Sequence, residues 1–402
     1  MTIQAEQHEI NLVTDNILDI TGNIDFSSVK DVVIEYDAKI NNIWGQIAPS
    51  SNSKLSVELY SDRSFGWSKN ASILITNAKS SYRSNSVKMY KPKLNFSTIE
   101  LVSDDVVYAE NNHSAFTDLV CYQGNLYMSF REGKRHAPQS EDEYGDIIIL
   151  KLVNEKWEFY NRLHKSGFDL RDPKLYIFNG KLCVLCGCSQ LVDSKLTKQG
   201  TCISIMTEDG FTDPLIVNTD VNHKVWIWRM TVQGDVVYGI GYMEGYYPVL
   251  LRTHDLQNWE TISMIPIEGV PTEADVVAYN NELITIVRRD GDTAFLCKYS
   301  IDENKWQCID MGMRFESPCI GYIDSDVIIA SGRIFDNGNR ETGIIRYYYN
   351  TNVVDILDKT TAQSIDCAYP GIIVQDQFVH LSYYEGIHTN SRIHYRKFKL
   401  NK

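Results

Sequence analysis

The 402-residue chain lacks long apolar runs, and it also lacks an excess of positive charge. No stretch approaches the roughly 20 apolar residues that a membrane-spanning helix needs, so we expect no membrane insertion. Lys and Arg number 39 against 52 Asp and Glu, which gives a net charge of −13. Proteins that bind nucleic acid neutralise phosphates with basic side chains, so this balance argues against a nucleic-acid partner.

The amino terminus lacks the features of a secretory signal. The opening residues MTIQAEQHEINL contain neither a basic segment nor an apolar core. We therefore expect a cytoplasmic or virion-associated protein whose nine cysteines are reduced thiols. Cys183, Cys186 and Cys188 lie close together, but no second cluster supplies the remaining ligands of a zinc site. The sequence thus predicts neither a bound metal nor a cofactor.

Helical patterns of any length are also missing, and the dominant pattern is a recurring β-hairpin. Segments such as CYQGNLYMSFR (121–131) and IFNGKLCVLCG (177–187) place a polar turn between two apolar strands. Gly, Asn and Asp tolerate the positive φ of tight hairpin turns. The six turns, spaced by about fifty residues, are centred at Gly124, Gly180, Gly234, Asn281, Ser325 and Asp376. This even period predicts a closed β-propeller, because a β-sandwich of equal length would not explain it.

Residues 1–105 lack this repeat and show only short stretches of alternating apolar and polar residues. Such alternation predicts a small antiparallel β-sandwich. The stretch SDDVVYAENN (103–112) is the predicted joint between the two parts. The predicted fold class is therefore all-β, with an N-terminal β-sandwich (1–105) followed by a six-bladed β-propeller (106–402).

Arginines occur at similar positions in several of the repeats. Arg131, Arg288 and Arg333 follow the second strand of a hairpin, and Arg171 begins the first strand of another. An acidic protein that repeats arginine in this way is expected to form a local cationic pocket, since arginine captures carboxylates with two hydrogen bonds. The alternative is that each of these arginines forms an ion pair with a neighbouring acid.

Residues 113–400 resemble the sialidase superfamily of six-bladed propellers. The segments AFTDLVCYQGNLYMSFREGKRH, PTEADVVAYNNELITIVRRDG and CAYPGIIVQDQFVHLSYYEG carry this resemblance. The segments THDLQNW and SIDENKW resemble degenerate copies of the Asp box of that family. The resemblance implies a retaining glycoside hydrolase whose substrate is a carbohydrate with an acidic, sialic-acid-like sugar.

The resemblance also implies roles for individual residues. Tyr369 in CAYPG takes the place of the nucleophile, and Glu273 would accept its proton, since a free phenol has a pKa of about 10. Sialidases use a tyrosine where most glycosidases use a carboxylate. The acid that protonates the leaving group would be Asp142 or Asp146, both in the loop EDEYGD. The residues expected to contact substrate are Arg131, His136, Arg171, Arg288, Arg333, Tyr384 and Glu385.

One departure from the family leaves a second function open. Family members begin with an arginine that completes a three-arginine clamp, and this chain has Thr117 there, in AFTDLV. The alternative is a non-catalytic propeller that binds glycans, as part of a phage tail or a cell surface. A protein-interaction scaffold is a third alternative. In both, Tyr369 would be a packed ring and Glu273 an exposed strand end.

Overall fold

The computed structural model describes most of the chain after residue 97 and the backbone of several strands before it. Its described residues are 98–401 apart from 222–223, 243–247, 324–326, 337, 350, 361–363 and 376, and before them the seven strands given below. The chain divides into two compact units, residues 1–96 with 347–355, and residues 97–346 with 356–402. The domain boundary at residue 105 stays a prediction. None of the described helices is long and apolar enough to span a bilayer.

The first unit contains two sheets. Its strands are β1 (Glu9–Leu12), β2 (Asp19–Asp25), β3 (Asp31–Tyr36), β4 (Ile43–Pro49), β5 (Lys54–Ser61), β6 (Ala71–Asn77) and β7 (Arg83–Tyr90). The sheet orders are β1-β6-β3 and β2-β7-β5-β4. Strands β5 and β7 pair in parallel, so the expectation of purely antiparallel pairing was wrong. Between β5 and β7 the chain forms β6, which belongs to the other sheet. Parallel pairing of two strands requires such a crossover connection.

The second unit is built almost wholly of strands. Its strands up to residue 264 are β8 (Ile99–Tyr108), β9 (His113–Tyr122), β10 (Asn125–Gly133), β11 (Asp146–Val153), β12 (Lys156–Leu163), β13 (Asp169–Phe178), β14 (Lys181–Val192), β15 (Lys195–Thr207), β16 (Gly210–Phe211), β17 (Leu215–Ile216), β18 (Asn218–Thr219), β19 (Trp226–Gln233), β20 (Val236–Tyr242), β21 (Val249–Thr253) and β22 (Asn258–Met264). The later strands are β23 (Pro271–Tyr279), β24 (Glu282–Arg289), β25 (Phe295–Ser300), β26 (Lys305–Asp310), β27 (Glu316–Ile323), β28 (Val327–Asp336), β29 (Asn339–Tyr348), β30 (Val353–Lys359), β31 (Asp366–Gln375), β32 (Phe378–Ile387) and β33 (Asn390–Leu400). The helical element described among them is a single 3-10 turn, Glu141–Glu143.

The hairpin turns adopt the backbone that the sequence predicts. Turns at 123–124, 179–180 and 280–281 have positive φ at both central residues, and Gly234 has a φ of 65°. Positive φ at both positions is the signature of the type I′ turn, whose twist matches that of the strands it joins. The two predicted turns that lie outside the described residues are those at Ser325 and Asp376.

Three tryptophans occupy equivalent positions in their strands. Trp157, Trp259 and Trp306 are each the second residue of a strand, in β12, β22 and β26. In the turn before β22, Asp255 accepts the backbone N–H of Asn258 at 2.7 Å. The likeness of this turn to an Asp box stays a prediction.

The strands form five sheets in which each hairpin stays together. The largest has the order β12-β11-β10-β9-β33-β32-β31, with β8 paired to β33. The others are β13-β14-β15-β16 with β17 on β15, β18-β22-β21-β20-β19, β23-β24-β25-β26 and β27-β28-β29-β30. In the largest sheet, a single parallel bridge between His113 and Ser391 joins β9 to β33, the last strand of this unit.

The first strands of the six hairpins contact one another in a closed ring. The order is β9, β13, β19, β23, β27, β31 and back to β9. Small antiparallel sheets arranged radially around such a ring make a β-propeller. The predicted all-β propeller is therefore confirmed.

Each strand of this inner ring carries a β-bulge. The bulged positions are 116–117, 172–173, 228, 272–273, 317–318 and 369–370. A bulge gives one strand an extra residue and redirects its side chains, and it is common beside active sites. Pro370 falls in one of the bulges, as its missing N–H predicts. The bulges thus aim side chains from six distant segments of the chain toward one end of the ring centre.

The expectation that all nine cysteines are reduced was wrong for one pair. Cys297 on β25 and Cys308 on β26 face each other across adjacent antiparallel strands and form a disulfide. The other seven cysteines are free. Cys183, Cys186 and Cys188 are buried in the apolar core, where cysteine packs as a small hydrophobic residue.

We expect Gly371→Ala to destabilise the propeller by about 3 kcal/mol or more. A Cβ at Gly371 would lie 2.3 Å from the backbone N of Leu119 and 2.5 Å from the carbonyl C of Asp118, and backbone atoms cannot move aside as a side-chain tip can. Denaturant unfolding measures this loss. The control is Gly291→Ala, at a φ of +77° with no atom within 4 Å, which should cost only about 1–2 kcal/mol of left-handed strain. Equal losses in the two variants would contradict this account of how β31 meets β9.

Candidate active site

Tyr369 and Glu273 meet at the centre of the ring. The hydroxyl of the half-buried Tyr369 donates a hydrogen bond of 2.7 Å to Oε1 of Glu273. Glu273 is only 6% exposed, and its Oε2 accepts the backbone N–H of Ser317 at 3.1 Å. All three residues lie at bulges, in strands β31, β23 and β27. Glu273 is thus a buried partner of the phenol rather than an exposed strand end.

Neighbouring strands hold the backbone of Tyr369 in an unusual conformation. Ala368 and Tyr369 have φ values of 77° and 47°, a left-handed region that costs non-glycine residues free energy. The N–H of Tyr369 donates to Oγ of Ser317 at 3.2 Å, and its carbonyl accepts from the hydroxyl of Thr117 at 3.0 Å. Ser382 in turn donates to the Thr117 hydroxyl at 2.9 Å. Thr117, where the family has its first arginine, therefore positions Tyr369.

The ring of Tyr369 is enclosed by aromatic side chains and a guanidinium group. Phe116 and Trp228 pack edge to face at centroid distances of 5.0 and 5.7 Å, and Arg333 lies 5.2 Å above the ring. Burial, and next the charge of Glu273, raise the pKa of Tyr369 well above its ordinary value, although Arg288 and Arg333 oppose the shift. The phenol is therefore neutral at neutral pH, and it needs a base to act as a nucleophile.

Three arginines surround a second buried carboxylate, Glu316. Arg288, Arg314 and Arg333 approach its oxygens to 3.5, 2.5 and 3.1 Å. Burial alone would raise the pKa of Glu316, but the three guanidinium groups hold it below its ordinary value. Arg288 also pairs with Oε2 of Glu273 at 2.8 Å. The structure thus brings the predicted Arg288 and Arg333 to Tyr369, and it adds Arg314 and Glu316, which the sequence analysis did not identify.

Asp172 is another site residue that the sequence analysis did not identify. It lies at the bulge of β13 with a φ of 50°, and one of its carboxylate oxygens is buried without a hydrogen-bond partner. Burial raises the pKa of Asp172 to about 6, against the opposing charge of Arg171. The neighbouring Arg171 stacks 5.0 Å above Phe116 and donates to the carbonyl of His136 at 2.6 Å. Arg171 therefore lies against Phe116, and its contact with substrate stays a prediction.

His136 belongs to a network centred on Asp366. Oδ2 of Asp366 lies 2.8 Å from both Nε2 of His113 and Nδ1 of His136, and Tyr384 donates to Oδ1 at 2.5 Å. Among the described residues, the two histidines and the aspartate form a group of possible metal ligands within 4.8 Å. However, Nδ1 of the buried His113 has no partner, whereas a metal-bound histidine almost always donates its other N–H. The geometry fits a hydrogen-bonded network better than a metal site.

The predicted acids Asp142 and Asp146 form ion pairs with residues other than Tyr369 and Glu273. The side chain of Asp142 is 70% exposed and pairs with Lys134 at 2.5 Å. Asp146 pairs with Arg162 at 3.1 Å and with His164 at 2.8 Å. Among the described residues, no hydrogen bond or ion pair connects either aspartate to Tyr369 or Glu273. The structure therefore does not bring these candidates to the pocket.

Arg131 and Tyr384 are engaged by other protein groups, and Glu385 lines a different cavity. Arg131 is completely buried, and its guanidinium donates to Asp169 at 2.5 Å. Glu385 lines a separate cavity of about 390 Å³ between Ser364 and Arg392. Tyr384 is fully buried, with its hydroxyl on Asp366. In this structure a substrate in the Tyr369 pocket would not touch the guanidinium of Arg131.

Comparison with known proteins gives a fold but no family. No family model and no curated protein matches the chain. A protein of unknown function from Dyadobacter fermentans DSM 18053 matches with a TM-score of 0.65 at 15% identity, covering 76% of this chain and 100% of that one.

The matching structures include sialidases and an endosialidase. The NanB sialidase from Streptococcus pneumoniae matches with a TM-score of 0.56 at 10% identity, covering 83% of this chain and 75% of that one. The phage phi92 endosialidase matches with 0.53 at 10% identity, covering 79% and 71%. The Trypanosoma rangeli sialidase in complex with sialic acid matches with a TM-score of 0.54 at 10% identity. The match covers 73% of this chain and only 58% of that enzyme. The chain therefore has a sialidase-like β-propeller fold.

Proposed function

We propose that the chain is a retaining glycoside hydrolase that acts on an acidic, sialic-acid-like sugar. Tyr369 is its nucleophile and Glu273 is the base that accepts the phenolic proton. The observation that carries the proposal is their 2.7 Å hydrogen bond at the ring centre, with Arg288 in contact with both. We also propose that the propeller has six blades, and the eight-stranded sheet supports this because it contains two sets of four strands joined by one bridge.

The chemistry explains why a phenol replaces the usual carboxylate. A sugar that bears a carboxylate on its anomeric carbon would repel an anionic nucleophile, whereas a neutral phenol can approach. As the bond to the anomeric carbon forms, the phenolic proton passes to Glu273 across the existing hydrogen bond. The guanidinium of Arg288 lies 3.3 Å from the phenol oxygen, so it stabilises negative charge that develops there.

The charges around the pocket favour an anionic ligand. The buried carboxylates of Glu273 and Glu316 face three guanidinium groups, those of Arg288, Arg314 and Arg333. Arg288 also pairs with Asp290 at 2.9 Å, but the side chain of Asp290 is 48% exposed, so the three arginines outnumber the buried carboxylates by one. A substrate carboxylate could pair with these guanidinium groups, because their donors match carboxylate geometry.

Other residues around the pocket can hold the neutral parts of a sugar. The free carboxylate oxygen of Asp172 can accept a hydroxyl group. The indole N–H of Trp228 is also buried without a partner, and Phe116 adds an apolar wall beside Tyr369. A pocket with a few polar groups between aromatic walls is typical of sites for small ligands.

We expect the protein to hydrolyse 4-methylumbelliferyl N-acetylneuraminide and to be trapped by 2,3-difluoro-N-acetylneuraminic acid. The fluorinated sugar should label Tyr369 covalently, because it slows hydrolysis of the glycosyl-enzyme more than its formation. Mass spectrometry of the intact chain and of its peptides measures the adduct, and proton NMR of the first product should show retention. Turnover with inversion, or an adduct on a residue other than Tyr369, would contradict this mechanism.

The second candidate function is glycan binding without catalysis. Thr117 supports it, because its hydroxyl is occupied by the Tyr369 carbonyl and it cannot pair with a substrate carboxylate as an arginine would. This candidate expects saturable binding of sialyllactose in calorimetry and no released sialic acid after hours of incubation. Released product would exclude it.

A further inference from the structure

His136 lies one aromatic ring away from the proposed nucleophile. Phe116 packs edge to face against both His136, at 5.3 Å, and Tyr369, at 5.0 Å. The side chain of His136 is 31% exposed, so part of its imidazole is accessible to solvent. The backbone N–H of His136 donates to the carbonyl of His388 at 2.6 Å and its carbonyl accepts from Arg171 at 2.6 Å. These contacts fix its loop against the last hairpin and the second inner strand.

Asp366 determines which nitrogen of His136 is free. Nδ1 lies 2.8 Å from Oδ2 of Asp366, and a neutral imidazole has one N–H, which it must donate to this carboxylate. The hydrogen bond therefore assigns the proton to Nδ1 and leaves Nε2 as the free atom. Asp366 is itself held by His113 and Tyr384. A carboxylate that orients an imidazole in this way is the arrangement of a catalytic acid–base pair.

We propose that His136, oriented by Asp366, donates the proton to the leaving group and later activates the hydrolytic water. This inference rests on the proposed function and supplies the acid that Asp142 and Asp146 do not provide. As Tyr369 bonds to the anomeric carbon and its proton passes to Glu273, the glycosidic bond breaks. The leaving oxygen takes the proton from Nε2 of the His136 imidazolium. In the second step, water attacks the anomeric carbon and gives a proton to Nε2, while the departing phenolate takes its proton back from Glu273.

The surroundings of His136 set the direction of its pH dependence. The charged and titratable groups that face it are Asp366, His113, His388 and Arg171. Burial lowers the pKa of His136 below its ordinary value, Arg171 and His388 lower it further, and Asp366 opposes them. The donor must be protonated, so kcat/KM should fall as the pH rises through this pKa. The alkaline limb is expected below the ordinary histidine value of about 6.5.

The test compares His136→Ala with the unmodified chain on two substrates that differ in leaving group. Sialyllactose releases a poor leaving group that needs a proton, whereas the 4-methylumbelliferyl glycoside releases a good one. We expect kcat/KM to fall about 10²–10⁴-fold for sialyllactose, the usual size of general acid catalysis. For the aryl glycoside the fall should be less than about tenfold. Equal losses on the two substrates would overturn the assignment and leave the proposed function intact.

Asp172→Asn is the matched control. Asp172 is a second candidate acid at the pocket, because its pKa is raised. It should lower activity on the two substrates by the same factor. A leaving-group dependence in Asp172→Asn, and none in His136→Ala, would transfer the role to Asp172. Turnover of neither substrate by the unmodified chain would contradict the proposed function and the role of His136 together.

A measurement without substrate tests the geometry separately. In ¹⁵N NMR of the full chain, His136 should show Nδ1 protonated and Nε2 bare, and its pKa should decrease in Asp366→Asn. The opposite tautomer, or a metal ion bound by His113, His136 and Asp366, would overturn the inference. A pKa of His136 that is unchanged in Asp366→Asn would also count against it.

Discussion

Tyr369→Phe is expected to lower kcat on a sialoside by about 10³-fold or more. The substitution removes only the hydroxyl that donates to Glu273, so no oxygen remains to bond to the anomeric carbon. The phenyl ring keeps its contacts with Phe116 and Trp228. Glu273 keeps Arg288 and the Ser317 N–H as partners. We therefore expect the free energy of unfolding to change by only about 1 kcal/mol, as for the loss of one hydrogen bond.

The control for this variant is Tyr395→Phe. Tyr395 belongs to the same sheet and hydrogen-bonds His380 at 2.7 Å, so its substitution removes a phenol outside the pocket. Its kcat should stay within about twofold of the unmodified chain. Steady-state hydrolysis of the aryl glycoside and thermal unfolding measure both variants. A Tyr369→Phe protein with full activity would eliminate the tyrosine mechanism.

The architecture could be predicted from the sequence because its signals are local. Period-two alternation marks the strands, and turn residues such as Gly124 and Gly180 mark the hairpins. The even spacing of these hairpins then predicts the ring. The disulfide of Cys297 and Cys308 was not predictable in this way, since each cysteine alone has the pattern of an apolar strand residue.

The pocket could be predicted only in part, because bulges decide which side chains reach it. Tyr369 and Glu273 were identified from a resemblance, and the structure brings them together. Asp172 was missed because strand alternation does not predict where its side chain points, whereas the bulge at 172–173 aims it inward. Aligning the inner strands on their turn centres would have placed Asp172, eight residues before Gly180, at the same phase as Glu273, eight residues before Asn281. Asp142 was chosen for its loop, but that loop forms a 3-10 turn in which the side chain of Asp142 is exposed.

Arg131 shows why arginines at the same phase in the sequence can have different roles. Arg131 and Arg333 both lie near the end of the second strand of a hairpin, in β10 and β28, yet Arg333 lies over Tyr369 and Arg131 is enclosed. Both have a buried carboxylate partner, but Arg131 donates to Asp169 at 2.5 and 3.1 Å, whereas Arg333 donates to Glu316, which also pairs with Arg288 beside Tyr369. Sequence phase alone does not reveal such a partner.

Arg131→Ala is therefore expected to destabilise the propeller without acting through the pocket. Asp169 would keep the Gly145 N–H and Arg171, but it would lose its closest cation, and breaking a buried ion pair costs about 3–5 kcal/mol. At roughly 2–4 °C per kcal/mol, the midpoint of thermal unfolding should fall by about 6–20 °C. Calorimetry or circular dichroism measures this change.

Two further variants test whether the loss of stability comes from breaking the buried ion pair or simply from removing an arginine. Arg252→Ala removes one partner of an exposed pair with Glu260, and exposed pairs contribute only about 0–1 kcal/mol. Arg131→Met combined with Asp169→Asn removes both charges and should recover part of the lost stability, because no buried carboxylate then lacks its cation. If Arg131→Ala were as stable as Arg252→Ala, the pair of Arg131 and Asp169 would contribute little to the stability of the fold. Arg131 would then be available to bind a ligand, as the sequence predicts.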